Sequence, residues 1–230
     1  MSRAQLIHRR LTGAFAALLV LASIAQPLAT TRAASTRLSF AAAVARLVVA
    51  PEHVGGYQRS LFGGWVDADG DGFNTRAEVL ISESKVAVTW NSRHTILTGR
   101  WYSLYDATTW TKASDVDIDH VVALAEAWRS GAWSWSSARR SSYANDLGAG
   151  WTLRAVTDNV NQAKGDDDPA HWMPPHAPAT CRYLADWVSV KIRWRLSVDT
   201  AERSSILASW SRQRCDRAAK PITIEVRVAP

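Results

Sequence analysis

Residues 115–120 read DVDIDH and run on as VVALAEAW. Alternate side chains of a strand share a face. Asp115, Asp117 and Asp119 would therefore crowd three carboxylates onto one side, with His120 directly after them. Such a cluster asks for positive charge beside it, and histidine is the side chain that exchanges a proton near neutral pH. Taken alone, the hexapeptide would also suit an edge strand whose charges face water. Alternation puts Asp119 and His120 on opposite faces of an ideal strand, so the strand must bend or end near Asp119 if both serve one reacting group. A second acidic stretch, DADGDGFNTRAE at 67–78, places Asp67, Asp69, Asp71, Gly72 and Glu78 at the spacing of an EF-hand calcium loop. Its eighth position, ordinarily aliphatic, is Asn74, and no helical pattern precedes it. An acidic surface turn fits these residues better than a calcium site.

The elements that must position these residues follow from local pattern. LSFAAAVARLVVA at 38–50 reads as a short helix stopped by Pro51. Aromatic and β-branched residues from Lys85 to Tyr105 predict two strands with a turn near Asn91–Arg93. DVDIDHVVAL is a strand and its exit, a short helix is expected around Ser136–Tyr143, and TLRAV is another short strand. TDNVNQAK is a helix capped by Thr157 and ended by Gly165. It carries Asn161 and, three residues on, Lys164. In CRYLADWVSVKIRWRL, Leu184, Val188 and Ile192 form a helical stripe, and DTAE at 199–202 is a capping box that starts a helix over about Thr200–Arg214. Two antiparallel helices of about 24 Å each would bring Cys181 and Cys215 side by side as a disulfide. The 12 tryptophans read as packing residues, since each carries large apolar area and one donor.

Bulk properties narrow the setting. MSRAQLIHRR is basic, AFAALLVLASIA is apolar but short for a membrane span, and TRA at 31–33 offers small residues for cleavage. Residues 1–33 read as a secretory signal peptide, and 34–230 as one exported domain with no stable membrane association. Without the leader, 23 basic residues face 21 acidic ones, a net +2. Attraction to a polyanion must then come from local clustering. The region from Arg182 onward, with ten Lys or Arg against five acids, is the basic part.

DIDHVVALAEAW…SGAW…YANDL…LRAVTDNVNQAKGDDDPAHWMPP…CRYLADWVSVKIRW resembles the HNH endonucleases, most closely a secreted bacterial branch related to the GmrSD-type C-terminal nuclease domain. The resemblance runs from about Gly56 to Cys215. It implies an α+β fold: a ββα-metal (HNH, or His-Me finger) core at about 115–168, added N-terminal strands, and a disulfide-linked helical hairpin at about 181–215. It implies hydrolysis of phosphodiester bonds in DNA, and possible action on RNA, by a monomer. By resemblance His120 is the general base. Asp119 and Asn161 hold a divalent ion, Mg²⁺ with Mn²⁺ or Ca²⁺ as alternatives, and Lys164 and Arg76 contact substrate. Asp117 would support the site. The family's central Asn, usually in an Asn-Leu pair, is replaced by Thr152-Leu153, which leaves Asn145 as its alternative. Relatives carry a cysteine where this chain has Phe73, so one family disulfide is lost. The competing reading is a non-catalytic, calcium-dependent surface- or wall-binding module on the same scaffold, using Asp67, Asp69, Asp71 and Glu78.

Overall fold

In the computed structural model, which describes residues 36–218 and 222–229, the DVDIDH stretch lies at the centre of the chemistry-bearing layer. The leader at 1–33 lies outside the described residues. Strand β1 (Thr36–Ser39) leads into α1 (Phe40–Val44), which is capped by Ser39. The long helix expected over 38–50 is only one turn and a half: residues 36–39 pair with a strand from the far end of the chain, and Val49 forms a bridge with Val198. Helix α2 (Thr75–Glu83) follows the acidic loop. Asn74, out of place in a calcium loop, is the N-cap of α2, its side chain accepting from the Ala77 amide at 3.1 Å.

Strands β2 (Thr89–Trp90), β3 (Ile96–Tyr102) and β4 (Thr109–Lys112) form an antiparallel sheet. Strand β5 (Val116–His120) comes next, then α3 (Leu124–Arg129), α4 (Ser137–Ala144), β6 (Leu153–Thr157) and α5 (Asp158–Lys164). β5 and β6 are antiparallel, with Asp117 opposite Val156, Asp119 opposite Arg154 and His120 opposite Leu153. The period of two sorts this hairpin. Val116 and Ile118, with Leu153 and Ala155, pack into a small core with Ala77, Val79 and Leu80 of α2 and Ile96 and Trp101 of β3. Asp117 and Asp119 are left on the other face, over which α5 lies.

The larger core is built around α6 (Thr180–Trp194), which is followed by α7 (Thr200–Arg212) and β7 (Thr223–Val226), the partner of β1. α6 is buried on nearly every side, so its polar side chains need partners in place of water. Asp186 takes Arg154 at 2.7 Å and Arg182 at 2.8 Å, and Arg193 takes Asp146 at 2.6 Å. Lys191 sits between Glu126 and Glu202. Asp199 caps α7 by accepting from the Glu202 amide at 2.7 Å. The Glu202 side chain turns inward to Trp187 and Lys191 and does not close the capping box. The Cys181–Cys215 disulfide joins the start of α6 to the turn after α7, with Cα atoms 5.5 Å apart.

Candidate active site

α5 rises in the same direction as β5 beneath it. Three residues of helix advance about 4.5 Å and two of strand about 6.6 Å, so Asn161 and Lys164 fall near Asp117 and Asp119 respectively. Asn161 Nδ2 donates to Asp117 Oδ2 at 3.2 Å. Lys164 Nζ donates to Asp119 Oδ1 at 2.6 Å and to the His120 carbonyl at 2.9 Å, and is wholly buried. The other Asp119 oxygen accepts from the Tyr105 hydroxyl at 2.6 Å. Burial raises the Asp119 pKa, and the Lys164 ammonium is the strongest opposing influence. The positive charge demanded by the crowded carboxylates is thus supplied in part by the chain's own lysine.

These contacts revise several sequence-based assignments. Lys164 is not placed to contact substrate, because its ammonium is enclosed and occupied by two acceptors. Asn161 meets Asp117 rather than Asp119. Arg76 is half-buried, its Nη2 donating to the carbonyls of Ala113 at 3.2 Å and Val116 at 2.8 Å, so it pins the entry to β5. Asp115 lies off the shared face, in the single 3-10 turn before β5. Part of the basic C-terminal region is likewise internal, with Lys191 and Arg193 buried in ion pairs.

His120 ends β5 and points to the opposite side from Asp119. Its Nε2 lies 2.9 Å from the Ala144 carbonyl. A carbonyl only accepts, so Nε2 carries the proton and Nδ1 holds the lone pair. The ring stacks on Trp65, with centroids 5.2 Å apart and planes 2° from parallel. Burial depresses the His120 pKa to about 4, the Ala144 bond opposing and the Arg59 and Lys164 charges assisting. The imidazole is therefore neutral, and able to accept a proton, throughout the neutral range. Asn145 ties down the segment that carries Trp65: its Oδ1 accepts from the Val66 amide at 3.0 Å, and its Nδ2 donates to Gly64 O at 3.1 Å and Ser141 O at 3.0 Å. Thr152 holds the turn before β6, its hydroxyl meeting the Ala149 carbonyl at 2.8 Å.

Two adjoining openings reach these groups. One, about 130 Å³, is lined by Gly63, Gly64, Trp65, His120 and Ala144. The other, about 380 Å³, is lined by Tyr57, Asn161, Gln162 and Asp166. Arg59 and Leu124 line both. Arg59 stands on the single turn Arg59–Phe62, anchored by the fully buried Phe62 and by Arg140 Nε donating to Leu61 O at 3.0 Å. Sequence reasoning missed Arg59 and Trp65. The signal available was GGYQRSLFGGW, a Gly-bracketed turn whose one cation has no nearby acid. Two larger depressions, about 560 and 610 Å³, include none of His120, Asp117, Asp119 or Asn161.

The oxygens of Asp117 and Asn161 are of the kind that suits a hard divalent ion completed by water. Which atom of the Asn161 amide faces Asp117 is an assignment that a 180° flip exchanges. The Asp67, Asp69 and Asp71 carboxylates also gather within 4.8 Å of one another. They are exposed, and they already accept from their own loop: Asp67 from the Gly70 amide at 2.8 Å and the Gly72 amide at 2.9 Å, and Asp71 from the Phe73 amide at 2.8 Å. Repulsion from these three carboxylates adds to burial in raising the Glu78 pKa.

A family model described as the C-terminal domain of GmrSD restriction endonucleases matches residues 76–210. A protein of Arthroderma benhamiae bearing the name "Uncharacterized secreted protein" is 49% identical over 152 residues, which is 66% of this chain and 72% of that one. No solved structure matches. Among the described residues, no helix is long and apolar enough to cross a membrane.

Proposed function

This chain belongs to the family of GmrSD restriction endonuclease C-terminal domains, and on that premise we propose that it is an exported, metal-dependent HNH endonuclease that hydrolyses phosphodiester bonds in DNA. The observation that carries the reading is the state of His120. Its Nε2–H is held by the Ala144 carbonyl and its ring is held flat against Trp65, so Nδ1 is the proton acceptor in an opening shared with an exposed arginine.

In this reading His120 Nδ1 takes the proton from the attacking water. Trp65 and the Ala144 carbonyl fix the ring so that only this nitrogen is available. Arg59 binds the phosphate from the side that both openings share, as a fixed charge. Asn161 and Asp117 would hold a divalent ion, Mg²⁺ by the hardness of these donors, with Asp119 next along the same strand face. When bound, such an ion offsets the charge that builds on the departing oxygen. Lys164 acts as a positioning residue, keeping Asp119 and the end of β5 in place. Asn145 acts through Trp65. Export is supported by the leader pattern and by the name of the Arthroderma benhamiae relative.

The test is supercoiled plasmid incubated with the purified exported form, with Mg²⁺ or with chelator. Nicking in Mg²⁺, its loss in chelator, and a fall of about two to four orders of magnitude in His120→Ala are expected, with DNA binding retained. A plasmid left intact by the unaltered protein under every metal condition would leave the non-catalytic binding reading standing. Equal rates for His120→Ala and the parent would remove the base assignment.

A further inference from the structure

A groove of about 610 Å³ lies between α2, β3 and β4, and Ala77, Leu80, Ile96 and Ala113 of the β5–β6 hairpin's small core form part of its wall. Arg93, His94 and Lys112 line it, Arg76 borders it near the start of β5, and no carboxylate is among its lining residues. This sets it apart from two other depressions away from the candidate active site. That of about 560 Å³ includes Glu83 and Asp146 among its cations, and a smaller one of about 250 Å³ includes Asp186 and Glu225. From Ser84 to Tyr105 the chain carries Lys85, Arg93 and Arg100 and no acid. Arg93 and Lys112 are exposed, and among the described residues neither is paired with a carboxylate. The uncompensated charge is local, since the exported chain is nearly neutral overall. The Asp67, Asp69 and Asp71 turn lies just before Gly72, which borders the groove at one end, and would bar a polyanion from continuing on that side.

We propose that this groove is a second contact for the nucleic-acid substrate, in which Arg93 and Lys112 bind backbone phosphates away from the bond that is cut. The inference rests on the nuclease reading and extends it. Arg76 donates to the Val116 carbonyl, at the opposite end of β5 from His120. Four residues of strand at about 3.3 Å each put the two ends about 13 Å apart. Arg93 and Lys112 line a groove that His120 does not, so the phosphates they bind are separate from the scissile one. Contacts of this kind fix register and orientation without reading bases, so the groove should bind all sequences alike.

The test measures binding of a short labelled duplex DNA by the full-length exported form carrying His120→Ala, in chelator, across a salt titration. Adding Arg93→Ala and Lys112→Ala should weaken Kd about tenfold and lower the salt slope by about 2, one unit for each lost phosphate contact. Replacing two exposed arginines elsewhere, Arg46→Ala with Arg217→Ala, makes the same change in net charge and should move neither quantity comparably. An unchanged Kd and slope in the groove variant, or an equal loss in the control pair, overturns the inference and leaves the nuclease reading intact. If the protein retains no duplex at any salt concentration and the unaltered form cuts none, the nuclease reading fails and takes the groove with it.

Discussion

Lys164→Met tests whether the crowded carboxylates are held by a structural cation. Met keeps most of the side-chain volume, so the change isolates the ammonium. That ammonium is fully buried between Asp119 Oδ1 and the His120 carbonyl, and its removal strands a carboxylate that is 4% exposed. Breaking a buried pair from one side costs about 3–5 kcal/mol. For a chain of this size each kcal/mol shifts Tm by roughly 2–4 °C, so Tm should fall by roughly 6–20 °C. The loss should depend on pH. Burial already raises the Asp119 pKa and Lys164 is the main influence against it. Without Lys164 the folded value climbs further above the unfolded one. A carboxyl with a raised folded pKa contributes stability that is full below the ordinary carboxylate range and is lost as pH rises through the folded value. Urea unfolding in chelator should therefore show a larger deficit at pH 8 than at pH 5, and adding Asp119→Asn should recover part of it at pH 8. If Lys164→Met unfolds at the parent's urea concentration at both pH values, the lysine is not a buried counter-charge and the substrate-contact role regains its place.

The remaining predictions concern the scaffold and the imidazole's support. Replacing Cys181 and Cys215 together by Ala should cost roughly 3–4 kcal/mol in the chain-entropy model, for a sequence separation of 34 residues, measured by urea unfolding of the oxidised parent and the variant. Glu202 is pushed up to about 7 by burial, with Lys191 opposing and Glu126 assisting. Its contribution is then full below the ordinary carboxylate range and lost as pH rises through about 7, so Glu202→Gln should flatten the fall in Tm between pH 5 and pH 8; an undiminished fall would exclude Glu202 as its source. Trp65→Ala should leave DNA binding near the parent value and lower the nicking rate about tenfold or more, because it frees the His120 ring. A parental rate would show that the stack has no positioning role. Arg59→Ala should weaken nicking in every metal concentration, whereas Asn161→Ala should shift the Mg²⁺ requirement upward, which a metal titration of the two variants separates.

Much of this molecule was legible without coordinates where the information is short-range. The DxDH strand, the glycine stop that ends the Asn161 helix, and the helical pair that brings Cys181 to Cys215 all follow from side-chain period, the C-terminal glycine and rise per residue. Thr157 stands at the N-cap position of that helix but does not cap it, because its hydroxyl donates to Asp106 at 2.8 Å and accepts from Trp110 at 2.6 Å. The same local logic set Asp119 and His120 on opposite faces, and the strand indeed ends at His120. Tertiary structure decided which carboxylate meets which partner. Asn161 and Lys164 lie three residues apart on one helix, and their spacing alone does not say which of them stands over Asp117 and which over Asp119. It also decided that Lys164 is a buried counter-ion rather than an exposed one, because burial is a property of everything packed around a group and not of its neighbours in sequence. Arg59 and Trp65 reach His120 from more than fifty residues away, and β1 finds its partner at the other end of the chain. Periodicity encodes faces and lengths, and only the close approach of distant segments, each excluding water from the other, sets the charge state and reach of the groups they enclose.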